Sequence, residues 1–215
     1  MHTHNEIAGI DGCKAGWIIA TFGDVFVAPS LNIDQFDRVG IDMPIGLSDG
    51  PPRACDMAAR QYLGSARSSV FPAPPRAALT CADYRSALEI ARATTGRGIS
   101  KQTFNIMRKV AEVDRLIDPA NPDVLVEVHP ECTFRMLNGD RALPSKKTAD
   151  GQRVRRRLLA DHFEMPTIAP RGAAIDDVFD AYAALLSIDR FHRDAHRTFG
   201  DGQRDARGIE MRIVC

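Results

Sequence analysis

The sequence predicts an α/β fold in which a mixed five-stranded sheet is flanked by helices. Two observations carry this prediction: the chain opens with β-rich runs separated by turns, and later strands alternate with helical patterns. A third observation concerns residues 48–120, which form a segment longer than a crossover between two strands needs. We interpret it as a helical insertion in a single domain that spans residues 1–215.

The predicted strands fall into two groups. Three β-rich runs predict an antiparallel meander, and they cover residues 6–11, 17–22 and 25–27. Two buried strands follow at residues 38–44 and 123–130, and a proline closes each, because proline cannot donate to a β-ladder. We expect these later strands to pair in parallel in the same sheet. Residues 208–214 alternate like a terminal edge strand.

Helical patterns fill much of the remaining chain. Helices are predicted over residues 31–36, 53–63, 82–93, 102–116, 148–163 and 173–191. Thr148 is a suitable N-cap for the fifth of these, which is strongly basic.

Composition excludes several classes of protein. Lys plus Arg and Asp plus Glu both number 28, so no global positive field points to nucleic acid and any basic surface must be local. The five cysteines are scattered and never spaced as Cys-x-x-Cys, which argues against a disulfide scaffold and fits a reducing compartment. Residues 1–6 show no signal-peptide pattern, and the longest apolar run, 181–188, is too short to cross a bilayer. We therefore expect a cytoplasmic protein without a membrane partner.

Several acids end or interrupt the predicted strands and open the last helix. Asp11 ends the first strand, while Asp42 and Glu127 each lie inside an otherwise apolar strand. Asp177 and Asp180 are three residues apart on the last helix, so they share a face. Taken singly, Asp11 could be a turn residue and Asp177 could complement the helix dipole. Their joint placement favours one common site.

Carboxylates that converge need a positive partner, because like charges repel and raise the pKa of one of the groups. A divalent cation, a shared proton or a neighbouring Arg or Lys would each meet this need, and the residues alone leave the three open. Hard oxygen ligands suit Mg²⁺, and two such ions can activate water and stabilise the leaving oxygen of a phosphodiester. The expected cofactor is therefore Mg²⁺ or Mn²⁺.

Seven stretches, in order along nearly the whole chain, carry a resemblance to a known family: residues 9–17, 40–47, 67–71, 100–102, 127–131, 145–148 and 176–181. The chain resembles the family called domain of unknown function four-two-nine, whose members are usually described as predicted ribonuclease H-like nucleases. The order of its acids is also similar to that of the Holliday-junction resolvase branch of such nucleases. The resemblance implies a ribonuclease H-like fold and metal-dependent cleavage.

The resemblance also implies roles for individual residues. It puts Asp11 and Asp42 in the first and second metal-ligand positions and matches Asp177 and Asp180 with the acidic pair of the final helix. These four are the candidate catalytic residues. The candidate metal ligands are Asp11, Asp42, Asp177 and Glu127, although Glu127 has no firm counterpart in the resolvase core.

Basic and hydroxyl side chains supply candidate contacts to substrate phosphate, since such groups position nucleic-acid backbones. The candidates are Lys14, Arg67, Ser69, Lys101, Lys146 and Lys147. The densest positive patch combines Lys146 and Lys147 with four arginines in the range 153–157, and it is either a phosphate contact or a solvated helix face. His129, which lies between Glu127 and Glu131, is the histidine closest to the candidate acids in sequence.

These observations predict a metal-dependent ribonuclease H-like nuclease or phosphodiesterase whose substrate the sequence does not specify. The alternative is a non-catalytic module of the same fold that binds nucleic acid, a nucleotide or a protein partner. A third hypothesis, a phosphoesterase for a small metabolite, would explain the neutral charge.

Overall fold

The sheet is mixed and has five strands. The computed structural model describes residues 6–215, and the strands are β1 (Ile7–Cys13), β2 (Gly16–Ala20), β3 (Val25–Ala28), β4 (Arg38–Ile41) and β5 (Leu125–Glu127). They lie in the order β3-β2-β1-β4-β5. The first three pair antiparallel, and β1, β4 and β5 pair in parallel. The predicted mixed sheet, a meander followed by parallel strands, is confirmed.

Helices flank this sheet. Within residues 6–215 they are α1 (Ala54–Leu63), α2 (Tyr84–Thr95), α3 (Lys101–Leu116), α4 (Pro130–Leu137), α5 (Ala149–Ala160) and α6 (Ile175–His192). Short 3₁₀ segments occupy Gly64–Ser69 and Arg76–Ala78, and a separate two-stranded sheet pairs β6 (Thr198–Phe199) with β7 (Ile213–Val214). Residues 48–120 thus hold α1, α2 and α3, and their description as an insertion stays a prediction.

Helix α6 lies directly on the centre of the sheet. A Cβ atom at Gly9 would come within 2.0 Å of Leu185 N and 2.2 Å of Ala181 O, and one at Gly40 within 2.7 Å of Ala184 O. The two glycines therefore let the helix backbone touch β1 and β4, a close approach that a side chain would prevent. This contact fixes the first turns of α6 next to the ends of both strands.

Two boundaries near the candidate acids differ from the prediction. Strand β1 does not end at Asp11, because Asp11 pairs with Ile18 and the ladder continues to Cys13. Strand β4 ends at Ile41, so Asp42 follows the strand instead of interrupting it. The Asp42 N–H still donates to Ile10 O, at 3.0 Å, which holds Asp42 in line with the parallel ladder.

Three other predicted elements are wrong or shorter than expected. Residues 31–36 form turns instead of a helix, and their apolar side chains are buried in the core. The predicted strand over 208–214 is limited to β7, because Asp205 accepts the Ile209 N–H and holds the preceding residues in a turn. Pro130, interpreted as the residue that closes a strand, is instead the first residue of α4.

No helix within residues 6–215 has the length and apolar character needed to span a bilayer. Residues 1–5, which carry most of the expectation that a signal peptide is absent, lie outside the described residues.

Candidate functional site

Three carboxylates from three different elements converge at one end of the sheet. Asp11 lies on β1, Asp42 directly follows β4, and Asp180 lies on the second turn of α6. Each offers one oxygen, and these oxygens all lie within 4.8 Å of one another. We call Asp11, Asp42 and Asp180 the carboxylate cluster. Asp11 is 8% and Asp180 4% exposed, so little water solvates their charges.

One fully buried oxygen of the carboxylate cluster has no hydrogen-bond partner among the described residues. Asp11 Oδ1 accepts from the Gly12 N–H at 2.6 Å. Asp180 Oδ2 accepts from Lys146 Nζ at 2.7 Å, whereas Asp180 Oδ1 is buried and has no hydrogen-bond partner among the described residues. A buried oxygen in this state is costly unless an ion, a water molecule or a proton satisfies it.

The electrostatics show that Lys146 offsets only part of the negative charge. Burial, reinforced by the charges of Asp42 and Asp180, raises the pKa of Asp11 well above its ordinary value. Burial also raises the pKa of Asp42 and that of Asp180 to about 7, although the Lys146 ammonium opposes both shifts. The carboxylate cluster therefore either holds protons near neutral pH or has room for a cation.

The donor set fits a hard divalent cation. Three carboxylates and one ammonium leave two negative charges, which one Mg²⁺ or Mn²⁺ would balance. All the available ligand atoms are carboxylate oxygens, the type that Mg²⁺ prefers, and Mn²⁺ accepts the same donors. The unpartnered Asp180 Oδ1 is the atom that such an ion would satisfy.

A cavity of about 670 Å³ opens beside the carboxylate cluster. Asp42 and Asp180 contribute to its wall, and other lining residues that could contact a substrate are Ser65, Ser68, Ser69, Phe71, Lys146 and Lys147. The volume lies within the range of about 300–1,000 Å³ that is typical of small-molecule sites.

An ion pair between Glu131 and Arg155 forms part of the cavity wall. Arg155 donates to both carboxylate oxygens of Glu131, at 2.7 and 2.8 Å, and both side chains are buried. Its other terminal nitrogen donates to the backbone oxygens of Pro144 and Gly151. Since its hydrogen bonds are directed into the protein, Arg155 holds the 144–151 segment in place and is not free to bind a ligand.

His129 also lines the cavity, and its role is structural. Burial lowers the pKa of the imidazole, so it is neutral at physiological pH. Its Nδ1 accepts from the Glu131 N–H at 3.2 Å, which caps the N-terminus of α4. His129 thereby fixes the start of the helix that carries Glu131.

The structure places two predicted metal ligands outside the carboxylate cluster. Asp177 Oδ2 accepts from the Ala174 N–H at 2.8 Å and caps α6, although its charge still contributes to the raised pKa of Asp11. Glu127 accepts from the Ile45 N–H at 2.7 Å and from the buried guanidinium of Arg53.

Strand register explains the position of Glu127. In the parallel ladder Glu127 is opposite Ile41, and Ile41 is opposite Ile10. Neighbours in register share a face of the sheet, and successive residues alternate between faces. Glu127 therefore points away from the face on which Asp11 and Asp42 lie, and the structure does not bring it together with these two acids.

The predicted phosphate contacts divide into two groups. Ser69, Lys146 and Lys147 line the cavity. Lys14, Arg67 and Lys101 are exposed and do not line it.

Comparison with known proteins gives one match. A model of the family described as "Protein of unknown function (DUF429)" matches residues 9–204, a segment that includes the whole carboxylate cluster. The comparisons with curated proteins and with solved structures gave no match.

Proposed function

The chain belongs to the DUF429 family, and we propose that it is a metal-dependent phosphodiester hydrolase with a ribonuclease H-like fold. The fold assignment is supported by the strand order β3-β2-β1-β4-β5, in which β3, β2 and β1 pair antiparallel and β1, β4 and β5 pair in parallel. It is also supported by the placement of acids on the first strand, after the fourth strand and on the last helix of the described chain.

One observation carries the proposal: a buried carboxylate oxygen, Asp180 Oδ1, has no hydrogen-bond partner within residues 6–215 and belongs to a group of three acids beside a cavity. A purely structural cluster would pair its charges, as Glu131 does with Arg155 and Glu127 does with Arg53. In the described part of the chain, the carboxylate cluster instead has a single ion pair, that of Lys146 with Asp180, for three acids. This imbalance favours a site that binds a cation.

The residues of the chain would divide the work of hydrolysis. When bound, Mg²⁺ or Mn²⁺ supplies positive charge that polarises phosphoryl oxygens and favours deprotonation of the attacking water. Asp11, Asp42 and Asp180 would hold the ion, and Lys146, which pairs with Asp180 and lines the cavity, would offset negative charge on the phosphoryl group. Water attacks phosphorus, the P–O ester bond breaks, and its electron pair leaves on the alcohol oxygen, which takes up a proton.

Hydrolysis of bis(p-nitrophenyl) phosphate in the presence of Mn²⁺ tests this proposal. We expect Asp42→Asn and Asp180→Asn each to lower kcat/KM by about a hundredfold or more, since both remove a charged ligand. Asp150→Asn is the matched control, because Asp150 is exposed and pairs only with Arg153 on α5. Absence of Mn²⁺-dependent hydrolysis by the wild type, or equal activity of all the variants, would contradict the proposal.

A further inference from the structure

The sequence suggests a basic patch as a nucleic-acid surface, but most of its side chains are bonded to acids or backbone oxygens of the protein. Lys146 pairs with Asp180, and Arg155 pairs with Glu131. Arg156 donates to the backbone oxygens of residues 165 and 166. These cations are therefore not available to follow a long phosphate backbone.

The remaining members of the patch favour phosphate binding at the cavity over binding along a nucleic-acid polymer. Arg153 pairs with Asp150 on the exposed face of α5. Lys147 is exposed, lines the cavity and has no acidic partner in the described chain. Arg157, the last member of the patch, is exposed and does not line the cavity, so Lys147 is the member whose unpaired charge in the described chain borders the cavity.

Phe71 adds an apolar feature to the same wall. It lines the cavity and is 38% exposed, so part of its ring is open to a ligand in the cavity. Exposed aromatic rings in nucleic-acid sites stack with bases. The hydroxyls of Ser65 and Ser68 line the same cavity and can donate to phosphate oxygens.

We propose that the substrate is a small phosphodiester of dinucleotide size, held with its phosphate between the carboxylate cluster and Lys147 and with one base against Phe71. This inference rests on the proposed function and specifies its substrate class. Three observations support it: a cavity of about 670 Å³, basic side chains directed inward, and a sequence with equal numbers of basic and acidic residues. A polymer-binding surface would instead need phosphate contacts that continue beyond the cavity.

A length series measures the size of the ligand that the site accepts. Phosphorothioate oligothymidylates, which resist hydrolysis, are titrated into the wild-type protein with Mn²⁺, from the dinucleotide to a length of about sixteen residues. We expect the affinity per molecule to reach its plateau at the dinucleotide. The slope of log K against log salt should stay below about 2 in magnitude, because few phosphates are contacted.

Substitutions of cavity-lining residues test whether the dinucleotide binds in the cavity. Phe71→Ala should weaken dinucleotide binding by about tenfold, and Phe71→Tyr, which keeps an aromatic ring, should restore it. Lys147→Ala should weaken it by about threefold to tenfold. Arg153→Ala is the matched control and should leave it unchanged, since the Arg153 side chain lies outside the cavity wall.

Three results would overturn the inference. The first is affinity that rises steadily with length and falls steeply with salt, the second is failure of the dinucleotide to bind, and the third is equal loss of binding in Arg153→Ala and Lys147→Ala. If long oligonucleotides are also cleaved in a Mn²⁺-dependent reaction, the hydrolase proposal stands and only the substrate class is wrong. If bis(p-nitrophenyl) phosphate is not hydrolysed either, the hydrolase proposal itself fails.

Discussion

Lys146 Nζ lies 2.7 Å from Asp180 Oδ2, and this ion pair connects the wall of the cavity to the carboxylate cluster. The ammonium is bonded to Oδ2, and the second oxygen of the carboxylate, Oδ1, is buried without a hydrogen-bond partner among the described residues. Lys146 lies two residues before Thr148, whose hydroxyl accepts the Gly151 N–H and caps α5. The pair therefore connects α6 to the segment that begins α5, and it sets the charge of the site.

Lys146→Met should strengthen Mn²⁺ binding by about tenfold, because it removes a positive charge that competes for Asp180. The same change should lower the rate of phosphodiester hydrolysis, since Lys146 faces the cavity where a phosphoryl group would lie. Calorimetry gives the affinity, and a hydrolysis assay gives the rate. Lys147→Met is the control for affinity, because Lys147 pairs with no acid of residues 6–215. Weaker Mn²⁺ binding in Lys146→Met would show that Lys146 mainly positions Asp180.

The carboxylate cluster should make the metal-free protein less stable as the pH rises from about 4 to 8. Burial raises the pKa of Asp42 and of Asp180 to about 7 in the folded state, while the unfolded carboxyls keep their ordinary value near 4. The folded state therefore binds more protons in this window, and its stability relative to the unfolded state falls as they dissociate.

Urea unfolding at several pH values checks this dependence against Asp42→Asn, which removes one of the titrating groups. The free energy of unfolding of the wild type should fall relative to that of the variant as the pH rises from about 4 to about 7, and the difference should level off above that pH. Added Mn²⁺ should stabilise the wild type more at pH 8 than at pH 6, because it then displaces fewer protons. Parallel stability curves for the two proteins would be inconsistent with the raised pKa of Asp42.

Glu127 should matter for stability and not for metal binding. Arg53→Met leaves the buried Glu127 without its cation, and we expect a loss of about 3–5 kcal/mol in the free energy of unfolding. Glu127→Gln should leave the Mn²⁺ affinity of the folded protein within about threefold of the wild type, since Glu127 lies on the other face of the sheet. Loss of Mn²⁺ binding by folded Glu127→Gln would contradict this prediction and show that Glu127 contributes to the metal site.

Much of this architecture is predictable because local signals agree with it. The β-rich opening predicts the meander, and the apolar strands around Gly40 and Val126 predict the parallel part of the sheet. The sequence identifies Asp11, Asp42 and Asp180 as candidates because each acid lies in or beside an apolar strand or helix. Burial of a charge is costly there unless a function or a partner compensates for it. Their convergence follows from the contact between α6 and β1, which the glycine at position 9 permits.

The parts that were missed depend on one-residue differences or on tertiary contacts. Glu127 differs from a residue in line with Asp42 by a single step of register, which a strand pattern does not define. Pro130 closes a strand by its missing N–H, but the same property makes proline suitable for the first residue of a helix. With His129 as the N-cap, that second interpretation was available from the sequence. The pairing of Lys146 with Asp180 joins distant segments and could not be predicted locally.

Mn²⁺ binding by calorimetry at pH 8 tests the central claim most directly. We expect the wild type to bind Mn²⁺, Asp180→Asn to lose affinity by about a hundredfold or more, and the affinity of Asp177→Asn to stay within about tenfold of the wild type. Asp177 is the matched comparison because it lies on the same helix, and an asparagine oxygen can still accept the Ala174 N–H. Absence of Mn²⁺ binding by the wild type, or equal losses in Asp177→Asn and Asp180→Asn, would contradict the assignment of Asp11, Asp42 and Asp180 as the metal site.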